Sequence, residues 1–488
     1  MPDSPCCLNR SSQRRSSPLR LHSSRSKRSS FSGSDTLWRV THESSSSATP
    51  QRLLRRVDAI AIIVGIVIGA GIYKTPSVIA SITGDSGWTL TVWVLGAALS
   101  FIGALCYAEL ATTYPDAGGD YHFLTRAFGR DVAFLYGWAR ATVIITGAIA
   151  LLAFVFGDYV STIVSLGTHS TAWWAALIVI ALTAINIVGL RVSVRTQNVL
   201  TAIEVTGLVA VVLAGVVAPS TVHFDPPPFA TSVELGKLGG AMIFVLLTYG
   251  GWSEAAYIAR ELKGRRAIVD ALLASLAIIA VGYLGVNAAL LNGLGFAGLS
   301  ESKTPAADLM ARAFGQAGAN ALAVFVAIAT LTSINATMIV GARGDYAIGR
   351  DWPALEYLGR WNVLRAAPVV AYLLQAAIAL SLIAFGAMQF DGFEAMVNFT
   401  APVFWAFLFL VGVALFVLRA RDPVAVRPFV VPLYPLTPLV FCVSCAFLFY
   451  SSVAYAATND AVHIALWLMM TGVAALVVVR YANKRIGR

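Results

Sequence analysis

Ile66-Val67-Ile68-Gly69-Ala70-Gly71-Ile72-Tyr73 is an apolar run with glycines at its middle, and Val245-Leu246-Leu247-Thr248-Tyr249-Gly250-Gly251-Trp252 is a second. Inside lipid, every backbone N–H and C=O needs a partner, so an unwound segment survives only where protein or a water-filled cavity surrounds it. One glycine-rich span is unremarkable, because small residues let helices approach closely. Two such interruptions, 179 residues apart from Gly71 to Gly250, are a different signal. Matched broken spans in two halves of a chain mark the midplane binding site of one class of membrane transport fold.

Composition places these runs in a membrane. The 488 residues are 58% hydrophobic and 12% charged, about half the charge fraction of soluble domains, and mean hydropathy is +0.74. A span needs about 20 apolar residues. Twelve candidates are expected, at about 57–82, 88–112, 131–162, 172–189, 197–217, 237–259, 267–292, 318–341, 367–386, 395–418, 431–456 and 460–480. The fold class is therefore an all-α polytopic membrane protein. The interval from one break to the next covers five spans, which suggests a 5+5 inverted repeat, spans 1–5 and 6–10, with broken helices 1 and 6. Repeat one covers about 57–217, repeat two about 237–418, and two extra C-terminal helices about 431–480.

The net charge of +10 is unevenly placed. Residues 1–56 hold eleven Lys/Arg against Asp3, Asp35 and Glu43. Beyond them, the loops after even-numbered spans and the C-terminus hold 19 Lys/Arg, and the opposite loops hold only Lys303 and Arg312, with Lys237 at the edge of span 6. Basic loops stay in the cytoplasm, so both termini are expected there. The expected setting is a multi-pass protein of the plasma membrane. The excess of positive charge reflects topology and calls for no nucleic acid.

The first fifty residues contain sixteen Ser and eight Lys/Arg without apolar periodicity, too little to bury and order. Residues 1–51 read as a disordered, basic cytoplasmic tail or an over-extended start; an organelle targeting segment is the alternative. Residues 52–488 form the transmembrane domain. The five cysteines make no disulfide framework, and Cys442 and Cys445 share a helix face as small hydrophobes. The six His form no ligand cluster, and Walker, Gly-x-Ser-x-Gly and His-Glu-x-x-His signatures are absent. No cofactor, no metal and no enzymatic activity are expected.

Five motifs then add a resemblance. Gly69-Ala70-Gly71-Ile72-Tyr73-Lys74-Thr75-Pro76 is similar to the first-span motif of amino-acid permeases of the amino acid–polyamine–organocation (APC) superfamily. Gly103 to Leu110, followed by Tyr114 to Tyr121, resembles the second span and its loop. Tyr249-Gly250-Gly251-Trp252 with Arg260 to Lys263 resembles the sixth, and Ser333 to Ala336 with Gly341-Ala342-Arg343 the eighth. The likeness runs over about 52–420, nearest the L-type, light-chain-like branch. It departs in the loop after span 6, where Arg260 replaces an acid and Gly264-Arg265 replaces Asn-Pro. The branch's animal light chains bond a heavy chain through an outward-loop cysteine. The loop around Ser165 to Thr171 has none, so no disulfide-linked heavy chain is expected; the oligomeric state is left open.

The resemblance implies an amino-acid secondary transporter. Backbone chemistry agrees, since free N–H groups near Gly71 and Ile72 suit a carboxylate and carbonyls near Ile66 to Gly69 and Leu247 to Gly250 suit an ammonium. The substrate-binding set is Ile68, Gly69, Ala70, Gly71, Ile72, Tyr249, Gly250, Gly251 and Trp252, with Tyr249 and Trp252 candidates to wall the side-chain pocket or simply to pack. Charges within spans are expensive and informative. Arg140, Glu204 and Glu254 lie at similar depth, and in the resembling branch the matching positions of spans 3 and 5 are charge-swapped, so a direct Arg140–Glu204 pair is expected. Glu254 is then the carboxylate left over to carry a proton. A sodium ion is the competing coupling ion, bound by hydroxyls of Thr332 and Ser333. Asn335 bonds to the first break or glues helices, and Lys74 pairs with Asp158 or snorkels. The leading expectation is an amino-acid transporter in the lipid bilayer. The alternatives are a cation-independent amino-acid or polyamine exchanger and a non-transporting sensor.

Overall fold

A computed structural model describes residues 55–486, apart from 117, 189–193, 221–226, 231, 233, 260, 261, 263, 265, 363–366, 390 and 459–461. The expectations for the tail and for Arg260 and Arg265 fall outside the described residues. Every regular element among the described residues is helical, and one isolated bridge joins Asn362 to Ala367. Among the described residues, eight helices are long and apolar enough to cross a membrane. Many apolar side chains point outward on them, among them Ile180, Val281, Leu373 and Val443. On a soluble protein such faces would be a liability; lipid is their natural neighbour.

The first broken span comprises α1 (Arg56–Val67), a 3₁₀ turn (Ala70–Tyr73) and α2 (Thr75–Thr83). Pro76 at the start of α2 costs nothing there, because the first N–H groups of a helix have no intrahelical acceptor. Next come α3 (Ser86–Thr113), a short helix α4 (Gly119–Phe128), and a third span built from α5 (Arg130–Ala139), a π turn (Arg140–Ile144) and α6 (Ile145–Ser161). Helices α7 (Ser170–Val188) and α8 (Val194–Val217) follow. The second broken span is α9 (Leu235–Thr248), a 3₁₀ turn (Trp252–Glu254) and α10 (Ala255–Ile258). The chain then runs through α11 (Ala267–Glu301), α12 (Pro305–Asp351), α13 (Val369–Gly386), α14 (Gly392–Arg421), α15 (Leu436–Thr458) and α16 (Val462–Ile486).

Two helices overrun their expected lengths. Kinks at Gly295 and Gly315, both with positive φ, let α11 and α12 turn without ending. Helix α4 is absent from the sequence reading because its 10 residues are amphipathic and too polar to register as a span.

Around the breaks, α1 packs on α8 and α11, α2 on α9 and α11, and α6 on α7, α12 and α14. The hydroxyl of Tyr283, on α11, donates to Val67 O at 2.7 Å and lies 3.2 Å from Thr248 O. These are the last carbonyls of α1 and α9. Thr248 Oγ1 also meets Thr75 Oγ1 at 3.0 Å, so each broken helix is tied to the other at its cut. At the arginine-rich face, buried Glu109 of α3 accepts from Arg419 Nε at 2.7 Å and from Val431 N at 2.7 Å, which fixes the end of α14.

The Tyr283 bridge has a measurable value. Tyr283→Phe keeps the ring and removes the shared hydroxyl, leaving Thr248 O without that donor while Val67 O keeps the Gly69 N–H at 2.7 Å. A loss of about 1–2 kcal/mol is expected, read as a lower unfolding midpoint of the detergent-purified protein.

Candidate functional site

The two breaks differ in why they contain glycine. Gly69 is extended (φ −87°, ψ −178°), a conformation open to any residue. A Cβ there would sit 3.8 Å from Ser333 Oγ and 4.0 Å from Leu152, in ordinary contact. What Gly69 provides is room. Gly251 has φ +101°, and a Cβ on it would come within 2.9 Å of Ile66 Cγ2. There the missing side chain is needed for both the backbone conformation and the close approach to α1.

Between the breaks lies a cavity of about 270 Å³, near the size at which pockets hold small molecules. Gly69, Gly71, Gly250 and Gly251 line it, together with Ser333, Thr337 and the apolar side chains of Ile144, Phe244, Phe393 and Phe404. The π turn places Ile144 on this wall; an extra residue in a helical turn re-aims side chains, and such turns recur at functional sites. Ile68 and Ile72 are buried in the surrounding core.

The aromatic expectation needs correcting. Tyr249 and Trp252 do not wall the cavity. Tyr249 packs against Tyr283 and Trp93, with centroids 5.0 and 5.8 Å apart, and Trp252 packs edge-on to Tyr107 at 5.1 Å. Each follows a helix end, where one residue of rotation decides whether a ring faces the cavity or the bundle behind it.

Ion pairs bound the cavity at both ends. Lys74, just beyond the first break, bonds Asp158 of α6 and reaches Asp391 at 3.2 Å; its side chain is only 7% exposed. At the arginine-rich end, Arg140 grips Glu254 with two bonds, Nη1–Oε1 at 3.1 Å and Nη2–Oε2 at 3.2 Å. The acids of both ends stay partly exposed, Glu254 at 23% and Asp158 and Asp391 at 19% and 29%.

This geometry overturns the expected Arg140–Glu204 pair. Arg140 turns toward the second break. Glu204, on α8, is 2% exposed, and neither of its oxygens has a hydrogen-bond partner. Spacing grouped Glu204 with Arg140; the structure instead brings it within electrostatic reach of Tyr73 and Tyr283.

Two acids that the sequence reading missed complete the inner layer. Tyr136 Oη lies 3.4 Å from Arg140 Nη1 and donates to Asp120 Oδ2 at 3.2 Å. Asp345 of α12 is buried within electrostatic reach of Arg140. Both lie at ends of apolar segments, where acids look like loop residues. Asp120, outside the spans, is pushed up to about 7, first by burial and then by the neighbouring Glu254 charge; Arg140 and the Tyr107 and Tyr136 hydroxyls oppose this.

The remaining candidates separate cleanly. Thr332 bonds back to Ile328 O at 3.2 Å, on its own helix. Ser333 lines the cavity and sits 3.4 Å from Ala329 O. Asn335 accepts from Asn186 of α7 at 2.7 Å, holding two helices together rather than reaching the break. Among the described residues no group of His, Cys, Asp and Glu is arranged to hold a metal ion.

A cavity walled by two broken helices and closed by opposed ion pairs is transport architecture, and the sequence comparison agrees. The family model described as amino acid permease matches residues 54–476. The chain belongs to this family. The permease is 27% identical over 406 residues to the human cystine/glutamate transporter, covering 82% of this chain and 79% of that one. It is 28% identical over 403 residues to the mouse b(0,+)-type amino acid transporter 1, covering 81% and 82%. It is 26% identical over 388 residues to the serine/threonine exchanger SteT of Bacillus subtilis (strain 168), covering 78% and 86%. It is thus a secondary amino-acid transporter, and not an enzyme.

Two outcomes follow from the inner layer. Arg140→Met strands the Glu254 carboxylate and should cost about 3 kcal/mol, most of it recovered in the Arg140→Met/Glu254→Gln double variant; urea or thermal unfolding in detergent reads both. A carboxyl whose folded value lies above its unfolded 3.8 binds more protons folded than unfolded between those two values. Stability should therefore fall as pH rises from about 4 to about 7 and level off above. Asp120→Asn should flatten that slope.

Proposed function

We propose that the permease moves amino acids across the plasma membrane by alternating access around the cavity between Gly69–Gly71 and Gly250–Gly251. The arginine-rich face, with both termini, lies in the cytoplasm; the charge asymmetry of the loops supports this. Twelve spans form two inverted five-helix repeats followed by α15 and α16, a reading supported by the equivalent breaks in α1–α2 and α9–α10.

A zwitterion carries an anion and a cation on one carbon, and a broken helix complements both without a charged side chain. The first N–H groups of the Ala70–Tyr73 turn have no intrahelical acceptor and suit the substrate carboxylate. Carbonyls at the cuts suit the ammonium; Val67 O and Thr248 O are already held by Tyr283, which turns attention to Ile66 and Gly250 on the cavity wall. The substrate side chain would lie among Ile144, Phe244, Phe393 and Phe404, an apolar surface that favours an uncharged side chain. Lys74 with Asp158 and Asp391 forms the outer gate, and Arg140 with Glu254 the inner one. The observation that carries the reading is the cavity lined by both breaks and bounded by these pairs.

Exchange without a coupling ion is the second reading, favoured by a relative named as an exchanger. No disulfide-linked heavy chain enters either reading.

Uptake of radiolabelled amino acids into proteoliposomes tests the site. Gly69→Val fills the cavity from a position where a Cβ is tolerated. Its unfolding midpoint should stay within a few degrees of wild type and its uptake should fall at least tenfold. Undiminished uptake by a folded Gly69→Val protein would remove this cavity from the transport path.

A further inference from the structure

Glu204 is a carboxylate that the transport geometry leaves without an assignment. It sits on α8 where that helix packs against α1, α11 and α12, is 2% exposed, and has no hydrogen-bond partner on either oxygen. Two other acids in the spans have ion-pair partners: Glu109 has Arg419 and Arg427, and Glu254 has Arg140. An ionised carboxylate in an apolar interior with no donor is several kcal/mol uphill, so this pocket suits the neutral acid. Such a group persists in a structure when another conformation gives it a partner.

The partner is in place. Tyr73, in the 3₁₀ turn directly after the first break, is buried, its hydroxyl has no acceptor, and it lies within electrostatic reach of Glu204. A donor without an acceptor thus lies within electrostatic reach of an acceptor without a donor, with no hydrogen bond between them. Tyr283, the other titratable group facing Glu204, has its hydroxyl engaged at Val67 O and Thr248 O. Among the described residues, no charged group of α1, α11 or α12 acts on Glu204.

We propose that Glu204 is the proton-binding site that couples transport to the proton gradient, with Tyr73 as the hydrogen-bond donor that receives the carboxylate once the proton leaves. In the conformation described here the carboxyl holds its proton. When the break segment shifts during transport, the O–H bond of Glu204 breaks, the proton passes to water, and the resulting anion accepts from Tyr73. Because Tyr73 belongs to the segment beside the substrate cavity, the proton state of Glu204 and the position of that segment are linked. The proposal rests on the reading of the cavity as the amino-acid path, and it moves the proton from Glu254, committed to Arg140, to Glu204.

The test uses wild-type and Glu204→Gln protein in phospholipid vesicles with a pH-sensitive dye inside, and an equimolar mixture of the twenty proteinogenic L-amino acids, with a labelled portion, outside. Wild type should take up label and acidify the lumen. Glu204→Gln should acidify at least tenfold more slowly while keeping counterflow exchange within about threefold of wild type. Label uptake by wild type without acidification, or acidification by Glu204→Gln at the wild-type rate, overturns the proposal and leaves the transport reading intact. Absence of any label uptake by wild type overturns the transport reading, and the proposal with it. Tyr73→Phe should shift the pH profile of uptake toward alkaline values, and an unshifted profile overturns the assignment of the donor. Should Glu204→Gln fail to fold, wild-type protein decides: dicyclohexylcarbodiimide, which attacks protonated carboxyls in apolar surroundings, should modify Glu204 by peptide mass spectrometry, and an unmodified Glu204 overturns the proposal.

Discussion

Cutting a helix inside an apolar medium strands backbone groups, and satisfying them organises the centre of this molecule. The carbonyls of Val67 and Thr248 end α1 and α9 in a region without bulk water, where an unmet carbonyl costs several kcal/mol. One side chain answers both: the Tyr283 hydroxyl lies between them, on a helix packed against α1 and α2. The aromatic cluster of Tyr249, Trp93 and Tyr283 keeps that hydroxyl in place. With the carbonyls at the cuts engaged, the glycines that remain open to the cavity are those whose backbone is left for a ligand.

The third span supplies the fixed post against which both breaks are held. Arg140 and Asp158 stand 18 residues apart on it, or about 27 Å at the helical rise. The first binds the segment after the second break, and the second binds the segment after the first. Each closing pair therefore joins a broken helix to this one unbroken element. The two closures are shielded alike: the cations are 7% and 8% exposed, and the acids 19% and 29% at the Lys74 end against 23% for Glu254. The π turn at Arg140–Ile144 puts the gate arginine and a cavity-wall isoleucine in the same distorted turn.

Much of this was legible without coordinates. Glycine pairs inside apolar runs have few uses in lipid, so Gly69–Gly71 and Gly250–Gly251 announced the breaks. Arginine counts on alternate loops distinguished the two faces. Spacing along each span suggested a shared depth for Arg140, Glu204 and Glu254, and the Arg140–Glu254 pair is the part the structure brings together. What spacing cannot carry is azimuth: two acids at equal depth compete for one arginine, and helix rotation and packing choose between them. The same reason misplaced Tyr249 and Trp252, whose rings face the bundle behind the cavity. Asp120 and Asp345 escaped notice because acids at the ends of apolar runs read as solvated loop residues. Folding brings them beside Arg140 through α4 and the long extension of α12.

The amino-acid sequence by itself determined that this chain is a helical membrane protein with two interrupted spans and a strongly basic set of alternate loops. It did so because hydropathy, charge asymmetry and glycine placement act locally, residue by residue. Only the tertiary structure decided that Glu254 holds Arg140, that Lys74 bridges two aspartates, and that Glu204 stands without a partner near Tyr73. Those are choices among equivalent charges at equivalent depths, and they depend on which faces of separate helices meet.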